Sequence, residues 1–308
     1  MLVVVSMQFN TIKNCVRIKN YANLTVCLYV LKSNSLFYNR SMLDKSALVG
    51  DLSTTLDPSE VAKFDELANQ WWDPMGKYAQ AIAFNHARLA YFTQAIATHF
   101  DRALAFVPKP TENLWHLYDL GRVFEGLSIL DVGCGGGLVS EPLANLGATV
   151  TGIDASAMSI RVARQHAHNT TTAVNYEHAM ASDLLADGRL FDVVINAEVV
   201  EHVHNQSLLI EQCAKLVKPG GILILATLNR TIKSFMIAIV GAEYVMNYLP
   251  KGTHSWHKFV KPEELSGWAE QSGCELLEQT GMQYNLFKHK WRLTPVMSVN
   301  YVQVFKKA

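Results

Sequence analysis

The chain has 308 residues, 27 of them Lys or Arg against 27 Asp or Glu, and 49% of it is hydrophobic. That is material for one large domain or two modest ones with an ordinary globular core, and the zero formal charge supplies no general field for nucleic acid, so no nucleic-acid partner is expected. Cys15, Cys27, Cys134, Cys213 and Cys274 are scattered, which argues against a structural zinc site and a disulfide scaffold, and no apolar run approaches the roughly 18–20 residues needed to span a bilayer.

Residues 1–43 carry Lys13, Arg17, Lys19, Lys32 and Arg40 and no acid; Asp44 is the first. Basic, acid-free segments with interspersed apolar residues respond to organellar import machinery, so residues 1–45 read as a targeting segment and 55–308 as the working domain. A disordered extension, or a true start at Met42, remains open. Asp57-Pro58-Ser59-Glu60 reads as N-cap, Pro at the first helical position and Glu at the third, and Val61, Phe64, Ala68 and Trp71 follow as one apolar stripe. A second helix is expected over Phe84 to Val107, stopped by Pro108 and Pro110. With a polar linker to Glu125 these make a helical part, 55–125, ahead of an α/β core at 126–308.

From Leu127 strands and helices alternate. Strands are expected at 127–132, 148–153, 174–178, 191–195 and 222–226, with helices at 138–146, 157–168 and 208–217; Gly147 and Pro219-Gly220-Gly221 supply two of the stops. This alternation predicts a doubly wound, mostly parallel α/β sheet covered on both faces, with antiparallel edge strands from Glu275–Gln279 and Val299–Phe305. Residues 231–258 read as an insertion after the fifth strand. Within it, Phe235, Met236, Ile239, Val240, Tyr244 and Met246 suit either a buried helix or an interfacial one flanked by Lys233 and Lys251. His254, His257 and Lys258 follow and could face a substrate; exposed loop residues are the default.

The most informative segment is Asp131-Val132-Gly133-Cys134-Gly135-Gly136-Gly137, a glycine turn between a strand and a helix. The dinucleotide fingerprint needs a third glycine at position 138, which is Leu138. Asp131 would also sit badly beside a pyrophosphate, whereas S-adenosylmethionine has no phosphate and a positively charged amino-acid end. Gly133 and Gly135 are therefore expected to approach the cofactor. Asp154, ending the next strand, is placed to accept ribose hydroxyls or to cap the following helix. Asp183 could face an adenine amino group or be a solvated acid.

After the fourth strand come Glu198, Glu201 and His202. If that turn is helical, all three project from one face and could hold a divalent cation, Mg²⁺ by the oxygen donors, with Mn²⁺ or Zn²⁺ left open by the imidazole. Such an ion would lower the pKa of a phenolic acceptor; without it His202 could be the general base.

Gln70-Trp71-Trp72-Asp73, LDVGCGGG at 130–137, EVVEHV at 198–203, KPGG at 218–221, ATLNR at 226–230 and the block from Val240 to Leu265 resemble the ubiquinone biosynthesis O-methyltransferase family. The likeness runs from about Leu56 to Tyr301. It implies a class I, Rossmann-like fold and S-adenosylmethionine-dependent O-methylation of polyprenylated catechols at both O-methylation steps of coenzyme Q synthesis. It further implies peripheral work on the matrix side of the mitochondrial inner membrane, beside its lipid surface and other coenzyme Q proteins. By the same resemblance, cofactor contacts fall at Arg88, Gly133, Asp154 and Ala197, Mg²⁺ ligands at Glu198, Glu201 and His202, and the catalytic groups are Glu201 and His202. There are two departures from the family pattern: Ala81-Ile82 and Asn85-His86 stand before Arg88 where it has Leu-His and Asn-Pro, and Ala197 is smaller than usual. A methyltransferase for another phenol or a lipid amine, or a non-catalytic scaffold, stays open from the residues alone.

Overall fold

The structure, a computed structural model, describes residues 16–17, 27–28, 54–67, 71–72, 79–109, 115–235, 256–285 and 290–308. The chain divides between Val49 and Gly50 into two units. In the first, Val16–Arg17 pairs antiparallel with Cys27–Leu28; otherwise the expected targeting segment lies outside the described residues.

The second unit opens with α1 (Pro58–Leu67), whose start is the one its sequence predicts: the Asp57 carboxylate accepts from the Ser59 amide at 3.1 Å. Helix α2 (Ala79–His99) ends well before Val107. Asp101 is left-handed at φ 51°, and the Arg102 amide reaches back to the Ala97 carbonyl at 2.8 Å, a Schellman stop. Leu104 and Phe106 continued the apolar pattern because they pack on the same core from outside the helix. A short α3 (Trp115–Tyr118) precedes the sheet.

The alternating core is β1 (Ser128–Val132), α4 (Ser140–Asn145), β2 (Thr149–Asp154), α5 (Ala157–Thr170), β3 (Val174–His178), α6 (Ala181–Ala186), β4 (Phe191–Ala197), α7 (Gln206–Lys215) and β5 (Val217–Leu228). Then come α8 (Pro262–Gln271), β6 (Cys274–Asn285), β7 (Lys290–Thr294) and β8 (Asn300–Lys307). The sheet runs β3-β2-β1-β4-β5-β8-β6-β7, parallel through β5 and antiparallel beyond it. The two halves of the parallel sheet diverge from β1, which puts a crevice at the carboxyl ends of β1, β2 and β4.

Successive strand residues face opposite layers. Ile129, Val193, Ile195, Ile222 and Ile224 pack with α2 and α4 on one face. Leu130, Val194, Leu223 and Leu225 pack with α6, α7 and α8 on the other. Pro219-Gly220-Gly221 does not precede the fifth strand as expected. It forms a bulge inside it, between the pairs Phe191–Val217 and Val193–Ile222. Helix α8 had a readable start, Lys261-Pro262 with Glu264 at the third helical position accepting from the Lys261 amide at 3.1 Å. Among the described residues no helix is long and apolar enough to cross a membrane.

Candidate active site

The glycine turn leaves β1 with Gly133 at φ 77° and Gly135 at φ 52°, backbone that side chains with a Cβ seldom adopt. Space forbids a substitution as well: a Cβ on Gly133 would stand 2.3 Å from Val199 Cγ2, and one on Gly135 2.7 Å from the Trp71 ring. The Gly133 and Cys134 amides donate to the Ile153 carbonyl at 2.8 and 2.9 Å, and the Gly135 amide donates to Asp154 Oδ2 at 2.9 Å. Asp154 also accepts from the Ser156 amide at 2.7 Å, so its carboxylate ties the turn to the end of β2. The helix-cap role considered for it belongs to Ser156, whose hydroxyl accepts from the Ser159 amide. Burial pushes the Asp154 pKa up against those two amide bonds. Asp183 is exposed and caps α6 by accepting from the Met180 amide at 2.8 Å, the bland alternative.

Asp131 is 2% exposed, with Ser140 donating to it at 2.6 Å; burial raises its pKa to about 6 against the Ser140 bond and the Arg88 charge. Arg88, 8% exposed on α2, donates through Nε to Asn85 Oδ1 at 2.8 Å, and Asn85 donates in turn to the Leu138 carbonyl at 2.6 Å. Asn85 thus locks the guanidinium and ties α2 to the far end of the glycine turn. Asn85 and Arg88, three apart on one helix face, carried that signal in their spacing. Arg88 Nη1 is buried without a hydrogen-bond partner among the described residues and lies 3.8 Å from Glu198 Oε1. Burial lowers the Arg88 pKa, opposed by Glu198, Asp131 and Glu201.

Ala197 ends β4 buried, and the chain then breaks sharply: Glu198 sits at φ 58° with its amide on the Ala226 carbonyl at 2.8 Å. A 3₁₀ turn covers Val200–His202. The helical turn that would have set Glu198, Glu201 and His202 on one face is absent, which corrects that expectation. Glu198 turns toward Arg88. Glu201, 2% exposed, accepts from Thr227 Oγ1 at 2.8 Å through one oxygen, while the other has no hydrogen-bond partner among the described residues. Burial first, then the neighbouring Glu198 charge, raises the Glu201 pKa. His202 Nδ1 meets Glu60 Oε2 at 2.9 Å.

The chain matches a family model described as "Methyltransferase domain" over residues 84–279. A protein of Cereibacter sphaeroides named ubiquinone biosynthesis O-methyltransferase is 47% identical over 251 residues, 81% of this chain and 96% of the relative. One of the same name from Agrobacterium fabrum is 43% identical over 82% of this chain and 96% of the relative. The chain belongs to the ubiquinone biosynthesis O-methyltransferase family. It is an S-adenosylmethionine-dependent methyltransferase. Its fold is shared with magnesium protoporphyrin IX methyltransferase of Synechocystis PCC 6803, solved with bound SAH, at a TM-score of 0.54 and 20% identity over 80% of this chain and 95% of that one.

In this methyltransferase Arg88, the glycine turn, Asp131, Asp154, Ala197, Glu198 and Glu201 come together at the crevice. Lys258 is drawn elsewhere, to Asp57 at 2.8 Å; His257 is exposed, and His254 lies outside the described residues. Among the described residues no three His, Cys, Asp or Glu side chains stand ready-made around a metal position. The donor chemistry nonetheless fits a hard cation: two adjacent carboxylates, one with an unpartnered buried oxygen, are what Mg²⁺ takes before completing its shell with water.

Proposed function

We propose that this methyltransferase transfers the methyl group of S-adenosylmethionine to a catechol-type hydroxyl of polyprenylated ubiquinone precursors, at both O-methylation steps. The observation that carries the reading is the meeting of Arg88, Glu198 and Glu201 beside the glycine turn. Arg88 Nη1 offers an unused donor to the cofactor's carboxylate, Asp154 offers its remaining lone pairs to ribose hydroxyls, and the Glu198–Glu201 pair lies on the acceptor side. The acceptor oxygen attacks the methyl carbon in line, the carbon–sulfur electrons return to sulfur as a neutral thioether, and the hydroxyl proton passes to the His202 imidazole. Mg²⁺ held by Glu198 and Glu201, with His202 beside them, would lower the acceptor's pKa and fix its orientation.

The reading extends to place. The basic, acid-free residues 1–43 support import, and with it work at the matrix face of the mitochondrial inner membrane among other coenzyme Q proteins. A lipid surface is supported by Ile232 at 79% exposure, Phe235 at 39% and Val296 at 53%, on neighbouring segments joined where Thr231 Oγ1 donates to the Ser298 carbonyl at 2.6 Å. The rest of the insertion, 236–255, lies outside the described residues.

The test is methyl transfer from labelled S-adenosylmethionine to a short-chain prenylated catechol, with EDTA and after restoring Mg²⁺. Loss and recovery support substrate and metal together; activity indifferent to chelator removes the metal. Glu201→Ala should lower kcat by about a hundredfold or more while cofactor affinity holds. No transfer despite cofactor binding would overturn the substrate.

A further inference from the structure

Helix α1, legible in sequence as a capped packing helix, reaches His202 across the fold. A glutamate at the third helical position ordinarily turns back to the N-cap amide. Glu60 instead meets His202 Nδ1 at 2.9 Å and Lys63 at 2.9 Å, with Lys258 at 3.8 Å. Both members of the Glu60–His202 pair are nearly enclosed, their side chains 12% and 11% exposed. Phe64, one turn on, meets the imidazole edge-on with ring centroids 5.1 Å apart. Asp57 holds His204 at 3.0 Å and Lys258 at 2.8 Å, so the helix start is fastened to the His202 loop and to the Trp256–Lys258 turn.

We propose that Glu60 is a positioning residue for methyl transfer, acting through His202. An ionised carboxylate can only accept, so the imidazole carries a proton on Nδ1, and in its neutral form the lone pair then lies on Nε2. Phe64 fixes the ring plane, and the ion pairs of Asp57 fix the loop. A lone pair held on Nε2 is what His202 needs either to take up the acceptor's proton or to ligate a cation, and a carboxylate on the opposite ring nitrogen is the usual means of securing it. The proposal rests on reading His202 as an acceptor-side group, and its test is built to fail separately from that reading.

The experiment uses the full chain and its Glu60→Ala and Glu60→Asp variants. Long-range ¹⁵N–¹H spectra, with His202→Asn to assign the ring, report the tautomer without substrate; calorimetry gives the S-adenosylmethionine Kd; kcat and KM are measured on the prenylated catechol. Glu60→Ala should turn a single Nδ1–H pattern into a tautomer mixture and lower kcat about ten- to a hundredfold, with cofactor Kd unchanged. Glu60→Asp should recover part of both. An unaltered His202 pattern, or full kcat with an altered one, overturns the proposal. So does a parallel loss of cofactor binding, kcat and Tm in both variants, which would make Glu60 a fold anchor only. A parent protein inactive on the catechol, yet showing the tautomer change, would sink the substrate reading and leave the positioning of His202 standing.

Discussion

Replacing Arg88 by Met removes the only guanidinium that faces Asp131, Glu198 and Glu201 among the described residues. Its Nη1 is buried with no hydrogen-bond partner, and a donor in that state is matched by a charged acceptor. A hydrogen bond to a charged group contributes roughly 1.5–3 kcal/mol, about a ten- to hundredfold change in Kd. Affinity alone would not isolate the contact, because stripping the cation from two buried acids and the half-buried Glu198 destabilises the fold by several kcal/mol on its own. The assay therefore compares two ligands by calorimetry: S-adenosylhomocysteine, which has the amino-acid carboxylate, and 5′-deoxy-5′-methylthioadenosine, which keeps the nucleoside and thioether and lacks it. Arg88→Met should weaken the first by about ten- to a hundredfold and leave the second nearly unchanged. Arg88→Lys, which keeps the charge without the fork, should fall between. Equal weakening of both ligands would show that Arg88 only braces the pocket, and an unchanged first ligand would refute the contact outright.

Asp131→Asn should raise the Tm of the ligand-free protein. The folded pKa of about 6 exceeds the ordinary carboxyl value of 3.8, so burial penalises the ionised form, a penalty that grows as pH rises through that interval and reaches about 3 kcal/mol above it. The Tm gain should be large at pH 8 and smaller at pH 5; a pH-independent gain would exclude this cause. Gly133→Ala combines a left-handed φ of 77° with a Cβ 2.3 Å from Val199 Cγ2, so urea melts should show a loss of about 2–5 kcal/mol. Adding Val199→Ala should recover the steric part and not the φ part. The double change Ile232→Glu and Phe235→Glu should abolish flotation with anionic liposomes while leaving cofactor Kd unaltered; persistent flotation would place the lipid contact elsewhere.

The central parallel strands β1, β4 and β5 were legible because each holds a short apolar run whose neighbouring residues are buried in opposite layers, as Val193, Val194 and Ile195 are. Strand β7, Lys-Trp-Arg-Leu-Thr, lies at the sheet's margin with every residue at least partly exposed, and its sequence carries no such run. The cofactor half of the site was legible for a related reason: Asp131, Gly133, Gly135 and Asp154 stand at strand ends, where topology alone places them at the crevice. The acceptor half was read less completely. Glu60 and His202 are separated by 142 positions, and Lys258 and Asp57 by 201. Within α1 alone Glu60 satisfies a capping pattern, so nothing local distinguishes a cap from a reach across the fold. The same limit hid Thr227, which contacts Glu201 from the neighbouring strand β5.

Glu198 shows most plainly why the turn after β4 departs from a helix. A left-handed φ of 58° is a conformation that glycine adopts without strain and a glutamate does not. A residue of this size is held there only when its surroundings overdetermine it, and they do: the amide is fixed on the Ala226 carbonyl, and the carboxylate faces Arg88. The break reverses the chain at the end of β4, so that the half-buried Glu198 brings its charge against the buried Glu201 although the segment between them makes no α-helical turn. Two carboxylates so close, with a single guanidinium between them and the glycine turn, oppose the stability of the empty pocket. A glycine at position 198 would relieve the backbone and remove one of the two charges. That the strained, charged residue stands there instead ties the strain to what the pocket binds, a cationic methyl donor on one side and an ionising hydroxyl on the other.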